Sequence, residues 1–597
     1  MRLRRSEVPV EQTWNLSDLF ATRSDWEAEG KALEADLQTV TQYKGRLAEG
    51  PATLAAALRA FEALLERYLR WACYAELQLA ADGSDPQNQG MAATAAALGA
   101  RSAAATAFLK SEILALPEGQ VEAWMAADSD LAVYRPYLEQ ILIERPYRLH
   151  PETEEALAAL GEVTGAPYMI YERARAADMT FAPITTPDGQ TRPVSFPVYE
   201  DELELSADTA VRRAAFDSFA RGLAAYQNTL AATFATEVKK NVVIARLRGY
   251  ESATHMLLAP HRVDHAVYHN LLDVIQSELA PHMRRYARLR KRVLGLDEMR
   301  YCDIEAPLDP EYNPTVTFEE AGRLVLEALS VLGPEYREIV RTALESRWID
   351  WADNVGKQAG AFCTSPYGAH SYILLTFTGQ MRSVFTLAHE LGHAGHFELA
   401  GRHQRLLNVE PTLFFVEAPS TTNELLLANH LLRKTDDVRM RRWVIMQLLM
   451  TYHHNFVRHL LEAELQRRIY RLAEQGTPIT AQLLSETKGA ILEQFWGGEV
   501  VIDEGARLTW MRQPHYYMGL YPYTYSAGLT CGTAVAQRIK EEGRPAAEQW
   551  LEVLKAGGSR PPMELMAMMG IDMTKPDPIR KAVAYVGSLI DELEASF

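Results

Sequence analysis

The residues best suited to chemistry in this 597-residue chain are two histidines four positions apart with a glutamate beside the first, His389-Glu390-Leu-Gly-His393. On a helix advancing about 100° per residue, His389 and His393 project from one face, one turn apart. Two imidazole nitrogens so placed suit a single zinc ion at roughly 2.0–2.1 Å. Glu390 falls next to them, positioned to accept a proton from metal-bound water rather than to ligate. Val384, Phe385, Leu387 and Leu391 supply apolar surface to bury the helix, and Gly401 offers a stop. The competing reading is an amphipathic core helix carrying two satisfied histidines. The apolar approach and a second acidic helix downstream argue against it.

Two residues cannot fill a tetrahedral site. His396 shares the ligand face, but seven residues rise about 10 Å, too far for one straight helix to supply three corners around one ion. His396 is expected to line the cleft or support a neighbour. A metzincin arrangement is excluded, because the positions it needs as Gly and His are His396 and Leu399. The third ligand must come from a second helix. The segment Phe414-Phe-Val-Glu417-Ala-Pro-Ser-Thr-Thr-Asn-Glu424 offers two carboxylates on one face. Pro419 belongs in a first helical turn, which puts Glu417 at the helix entrance. Glu424, two turns deeper, suits an acceptor that orients a ligand histidine. Periodicity does not choose between them.

Hydrolysis also builds negative charge on the reacting carbonyl, and a donor other than the metal normally holds it. The segment His515-Tyr-Tyr-Met-Gly-Leu-Tyr521-Pro-Tyr523-Thr-Tyr525 concentrates imidazole and phenol, the donor types this requires. Tyr521, Tyr523 and Tyr525 alternate, so an extended stretch would put them on one side. The alternative is an aromatic packing ribbon.

These motifs resemble the thimet oligopeptidase superfamily of zinc metallopeptidases: His-Glu-Leu-Gly-His-Ala-Gly-His at 389–396, Val-Glu-Ala-Pro-Ser at 416–420 and Asn-Glu at 423–424. The opening Trp14-Asn-Leu-Ser-Asp-Leu-Phe20 and the segment Gly360-Ala-Phe-Cys are most similar to oligoendopeptidase F. The resemblance implies one zinc ion per chain held by His389, His393 and Glu417, with Glu424 the minor alternative to Glu417. It implies Glu390 as base, and His515 with tyrosines at the oxyanion, here Tyr521 and Tyr523, then Tyr525. It also implies a two-lobed, mostly helical fold enclosing a deep channel that admits short peptides.

The elements that must position these residues read as mainly α with a small β-sheet. A capping-box signature at Ser24 and Glu27 opens a helix running to about Thr41, and helical patterns follow over 51–79, 90–114 and 120–144. Residues 179–199 read as a hairpin turning at Asp188-Gly189. A strand at Ser371–Phe377 leads toward the motif helix and could pair with substrate backbone. The expected domains are an N-terminal helical lobe, 1–200, and a catalytic lobe, 201–597. Met563, Met566, Met568 and Met569 read as core.

Composition narrows the partners. A net charge of −17 argues against nucleic acid, and the one basic run, Arg284 to Arg292, reads as a solvated helix face. Four scattered cysteines form neither a disulfide framework nor a knuckle. With no apolar segment after Arg2, Arg4 and Arg5, and with Arg101 interrupting the Ala-rich stretch, neither signal peptide nor membrane span is expected. Joined to what the resemblance implies, this leads to the expectation of a cytoplasmic zinc endopeptidase acting on short peptides. Its rivals are a zinc carboxypeptidase or dipeptidyl carboxypeptidase, and a non-enzymatic helical peptide-binding scaffold with structural zinc.

Overall fold

The computed structural model describes residues 2–597. The chain divides into two compact units, each assembled from three stretches. One comprises Met1–Arg148, Pro314–His430 and Val535–Gly570; the other comprises Leu149–Asn313, Leu431–Ala534 and Ile571–Phe597. The boundary expected near residue 200 therefore falls inside the second unit. The chain enters and leaves each unit repeatedly, an arrangement that local sequence pattern does not register. Helices dominate both units, as the resemblance implied.

In the first unit, the helix Arg23–Asp36 is capped by Thr22, whose hydroxyl accepts from the Asp25 N–H while the Asp25 carboxylate accepts from the Thr22 N–H. The capping box thus lies two residues ahead of the Ser24–Glu27 pair expected from sequence. Its helix packs on Pro51–Ala81 through Trp26 and Trp71, stacked at 4.7 Å. Each indole N–H donates to the other tryptophan's carbonyl at 2.8 Å, so two large aromatics are buried with their polar edges satisfied. Pro86 opens the next helix, Pro86–Thr106, in the position where a missing N–H costs nothing.

A three-stranded sheet faces the motif helix. Tyr372–Leu374 is its central strand, parallel to Ile349–Asp350 and antiparallel to Phe362–Thr364. The buried Lys357 clamps it, donating to the carbonyls of Asp350, Ala352 and Leu375 and pairing with the Asp350 carboxylate at 2.8 Å. A buried ammonium is tolerated only with such complete satisfaction.

The second unit is organised on the 40-residue helix Thr209–Arg248, capped by Asp208 and stopped at Gly249. The hairpin is present but short, pairing Ile184 with Arg192 and Thr185 with Thr191. Gly189, at φ 83°, supplies the left-handed residue of its turn. Phe196–Val198 is helical rather than extended; Ser195 caps it and overrides the apolar alternation. The basic run is not a freely solvated face. Arg284 donates to the carbonyls of Gln494 and Phe495, Arg285 pairs with Asp591 and Glu594, Arg288 pairs with Glu499, and Arg290 is buried. Met566 and Met569 are buried in the first unit, in keeping with a core role. Among the described residues no helix is long and apolar enough to cross a membrane.

Candidate metal centre

The motif helix spans Met381–His403 and begins just after the sheet's central strand. Val384, Leu387, Ala388 and Leu391 are wholly buried, so the helix is anchored along one side while His389 and His393 stay partly open. The helix Leu413–Lys434 crosses it at Gly392. A Cβ there would lie 2.5 Å from the Ser420 Cα and 2.7 Å from the Pro419 carbonyl oxygen. Backbone thus packs on backbone between the two histidines, which only glycine allows. Tyr336 and Asn423 reinforce the crossing: the Tyr336 hydroxyl lies 3.3 Å from the Leu391 carbonyl, and the Asn423 amide donates to the Ala388 carbonyl at 3.2 Å. Gly392→Ala will therefore force the helices apart. Overpacking of this kind costs about 1–3 kcal/mol, read as a lowered denaturation midpoint together with weakened zinc affinity by titration.

This crossing decides which glutamate meets the histidines where. Glu417 Oε2 lies 3.4 Å from His389 Nε2 and 3.5 Å from His393 Nε2. Glu424 Oε1 instead accepts from His389 Nδ1 at 2.7 Å, and Ser420 donates to Glu417 Oε2 at 2.9 Å. Pro419 does not mark the helix entrance. The helix begins six residues earlier at Leu413, and Pro419 is accommodated inside it, while Ser420 and Thr421 hydroxyls bond back to the Glu417 carbonyl. Glu417 therefore sits inside the helix rather than at its mouth.

His389, His393 and Glu417 offer one ligand atom each within 4.8 Å of one another, the one such group among the described residues. The donor set fits a divalent cation of zinc's chemistry: two imidazoles and a carboxylate, three protein ligands with one side open. Its electrostatics agree. Burial opposes charge on His389, yet hydrogen bonds to Glu417 and Glu424 hold its proton affinity well above the ordinary value. Burial also opposes the Glu417 carboxylate, but His393 and His389 hold it well below the usual range. The cradle attracts positive charge.

Glu390 is buried at 5% exposure, and that burial raises its pKa against the pull of the two histidines. A carboxylate so tuned is a better proton acceptor than one in water. His396 does not line a cleft. It is wholly buried, its ring packed on Phe397 and Phe415, and burial pushes its pKa down to about 3. The strand expected to meet substrate is likewise corrected: Tyr372–Leu374 has neighbours on both sides, and the edge beside the motif helix belongs to Phe362–Thr364.

In the second unit, His515 and the tyrosines form a separate group. Tyr521–Glu542 is helical, so the extended alternation expected for Tyr521, Tyr523 and Tyr525 does not occur. At 3.6 residues per turn Tyr521 and Tyr525 share a face and Tyr523 points away. Tyr521 stacks on His515 at 4.8 Å, and the Tyr525 hydroxyl is 3.3 Å from His515 Nε2. Tyr523 is 1% exposed and packs edge-on against Tyr268, which removes it from the donor group. Tyr523→Phe is expected to leave turnover unchanged and Tyr525→Phe, which removes the hydroxyl beside His515 Nε2, to lower kcat; steady-state kinetics on both variants checks this. Sequence reasoning gave no role to Ser420, Gln513, His454 or His459. The only signal for the last two was the histidine density at 453–459.

The sequence matches peptidase family M3 over residues 203–585 and the oligopeptidase F N-terminal family over residues 112–181. It is 34% identical to oligopeptidase PepF of Bacillus subtilis across 99% of this chain and 88% of that protein. Among solved structures, a Chlamydophila abortus peptidase superposes with a TM-score of 0.90 at 25% identity, covering 100% of both chains. Oligoendopeptidase F of Enterococcus faecium gives 0.75 at 28% identity, covering 96% of this chain and 99% of that one.

Proposed function

Since this chain belongs to peptidase family M3, as an oligoendopeptidase F, we propose that it cleaves internal bonds of short peptides in a zinc-dependent reaction. The observation that carries the reading is the convergence of His389 Nε2, His393 Nε2 and Glu417 Oε2 from two helices crossing at Gly392. A zinc ion held by such a set acts as a Lewis acid and brings the pKa of water down to about 7. Glu424 accepts the Nδ1 proton of His389, which leaves the Nε2 lone pair directed at the cation. Glu390 takes a proton from the attacking water and delivers it to the leaving amine. The group of His515, Tyr521 and Tyr525 serves the tetrahedral oxyanion, which gains its hydrogen bond from a phenol hydroxyl. The edge strand Phe362–Thr364 offers main-chain partners to an extended peptide, a recognition mode indifferent to side-chain identity. Four free thiols accord with a reducing, cytoplasmic setting.

Two measurements test this. A peptide blocked at both ends, incubated with the zinc-loaded protein, is expected to yield internal fragments by mass spectrometry; products released only from free C-termini would establish the carboxypeptidase alternative. Chelation is expected to abolish turnover while circular dichroism stays unchanged. A structural zinc closes all four positions with protein ligands and is coupled to folding, so loss of helical signal on chelation would favour the scaffold reading.

A further inference from the structure

A chain of hydrogen bonds in the second unit runs through Gln513. Its Oε1 lies 2.6 Å from His515 Nδ1 and its Nε2 lies 3.1 Å from His459 Nδ1. His459 Nε2 is in turn 3.0 Å from His454 Nε2, and Tyr525 Oη is 3.3 Å from His515 Nε2. Gln513 and His459 are both buried, at 7% and 5% exposure.

An amide has one end that only accepts and one that only donates. The oxygen facing His515 therefore requires the proton on His515 Nδ1, and the nitrogen facing His459 requires a lone pair on His459 Nδ1. A neutral imidazole carries one N–H. It follows that His515 Nε2 is bare and accepts from the Tyr525 hydroxyl, whereas His459 Nε2 bears the proton and donates to His454 Nε2. Burial favours the neutral form: it pushes His515 down to about 4 and, with His454 and His515 adding to it, holds His459 well below its ordinary value.

The backbone is shaped for this array. His453–Arg458 is a π-helical segment, which brings residues five apart into register where an α-helix would align residues four apart. His454 and His459 are five apart and meet edge to face at 4.5 Å between ring centroids. Stacking holds the other members: His459 on Tyr525 at 4.1 Å and His515 on Tyr521 at 4.8 Å.

We propose that Gln513 is a positioning residue that fixes His515 as its Nδ1–H tautomer, making His515 the hydrogen-bond acceptor of its group. The inference rests on the proposed service of His515 and the tyrosines to the reacting carbonyl, and it divides their labour. A bare Nε2 orients a tyrosine hydroxyl or takes a substrate N–H, and the donor to the oxyanion is a tyrosine hydroxyl.

The test is nitrogen NMR on full-length, zinc-loaded protein labelled with 15N-histidine at neutral pH, the His515 signals being identified by their loss in His515→Phe. The expected spectrum has the His515 proton on Nδ1. A proton on Nε2 overturns the proposal. Gln513→Glu keeps an accepting oxygen at His515, so it is expected to keep the proton on Nδ1 and to lose less turnover than Gln513→Met. Gln513→Met removes it and is expected to mix the tautomers and lower kcat by ~10-fold or more, in line with the large cost of a wrong tautomer elsewhere. Equal losses in the two variants also overturn it. The tautomer is read without catalysis, so failure here is distinct from failure of the peptidase reading, which the zinc and Glu390 experiments address.

Discussion

Replacing Glu390 with Gln will leave the fold and zinc content intact and lower kcat by about 10²–10⁴-fold, the range that a positioned general base contributes. The substitution is nearly isosteric, and Glu390 is not among the three residues whose ligand atoms converge. Zinc stoichiometry should therefore stay at one per chain. What is lost is the negative charge and with it the capacity to take up a proton at neutral pH. The site amplifies this difference. Burial already raises the Glu390 pKa, so its affinity for a proton is matched to the task in a way an amide cannot imitate. Zinc content by absorption spectroscopy, circular dichroism and single-turnover kinetics separate the cases. Near-normal turnover with zinc bound would refute the assignment of Glu390 as base.

The second large effect distinguishes the two glutamates of the neighbouring helix. Glu417→Gln removes the anionic ligand and with it the charge that His389 and His393 currently stabilise; zinc should be lost on dialysis and turnover with it. Glu424→Gln leaves all three ligand atoms in place. The amide can still accept from His389 Nδ1 in one orientation, but a neutral acceptor replaces a carboxylate at 2.7 Å. Changes to such outer partners typically cost 10–100-fold in metal affinity or activity. Competitive chelator titration of both variants gives the order of effects: Glu417→Gln must be the weaker binder. The reverse order would exchange the roles of the two residues.

The histidine pair, its helix and its glutamate were legible from local spacing, because a motif within one helix is fixed by helical geometry as soon as the helix forms. The predominance of helix was also legible, from apolar periodicity and composition. Everything that depends on two segments meeting was not. Periodicity left Glu417 and Glu424 equivalent; the close approach at Gly392 made one face the Nε2 atoms and the other an Nδ1. Pro419 pointed to a helix start that the fold placed six residues upstream, since packing against the motif helix outweighs the loss of one backbone hydrogen bond. Tyr523 was grouped with Tyr521 and Tyr525 on a period of two, where the helix imposes one of 3.6 and turns Tyr523 onto Tyr268.

By itself, then, the sequence determined the chemistry available: which side chains can bind a cation, which can carry a proton, and that helices would present them. Tertiary structure alone decided the division of the chain into two units, the carboxylate that lies against the two histidine Nε2 atoms, the edge strand beside the motif helix and the array through Gln513. The physical reason is one of range. Helical periodicity acts over a few residues, whereas these arrangements depend on contacts between segments tens to hundreds of positions apart, whose geometry no single segment encodes.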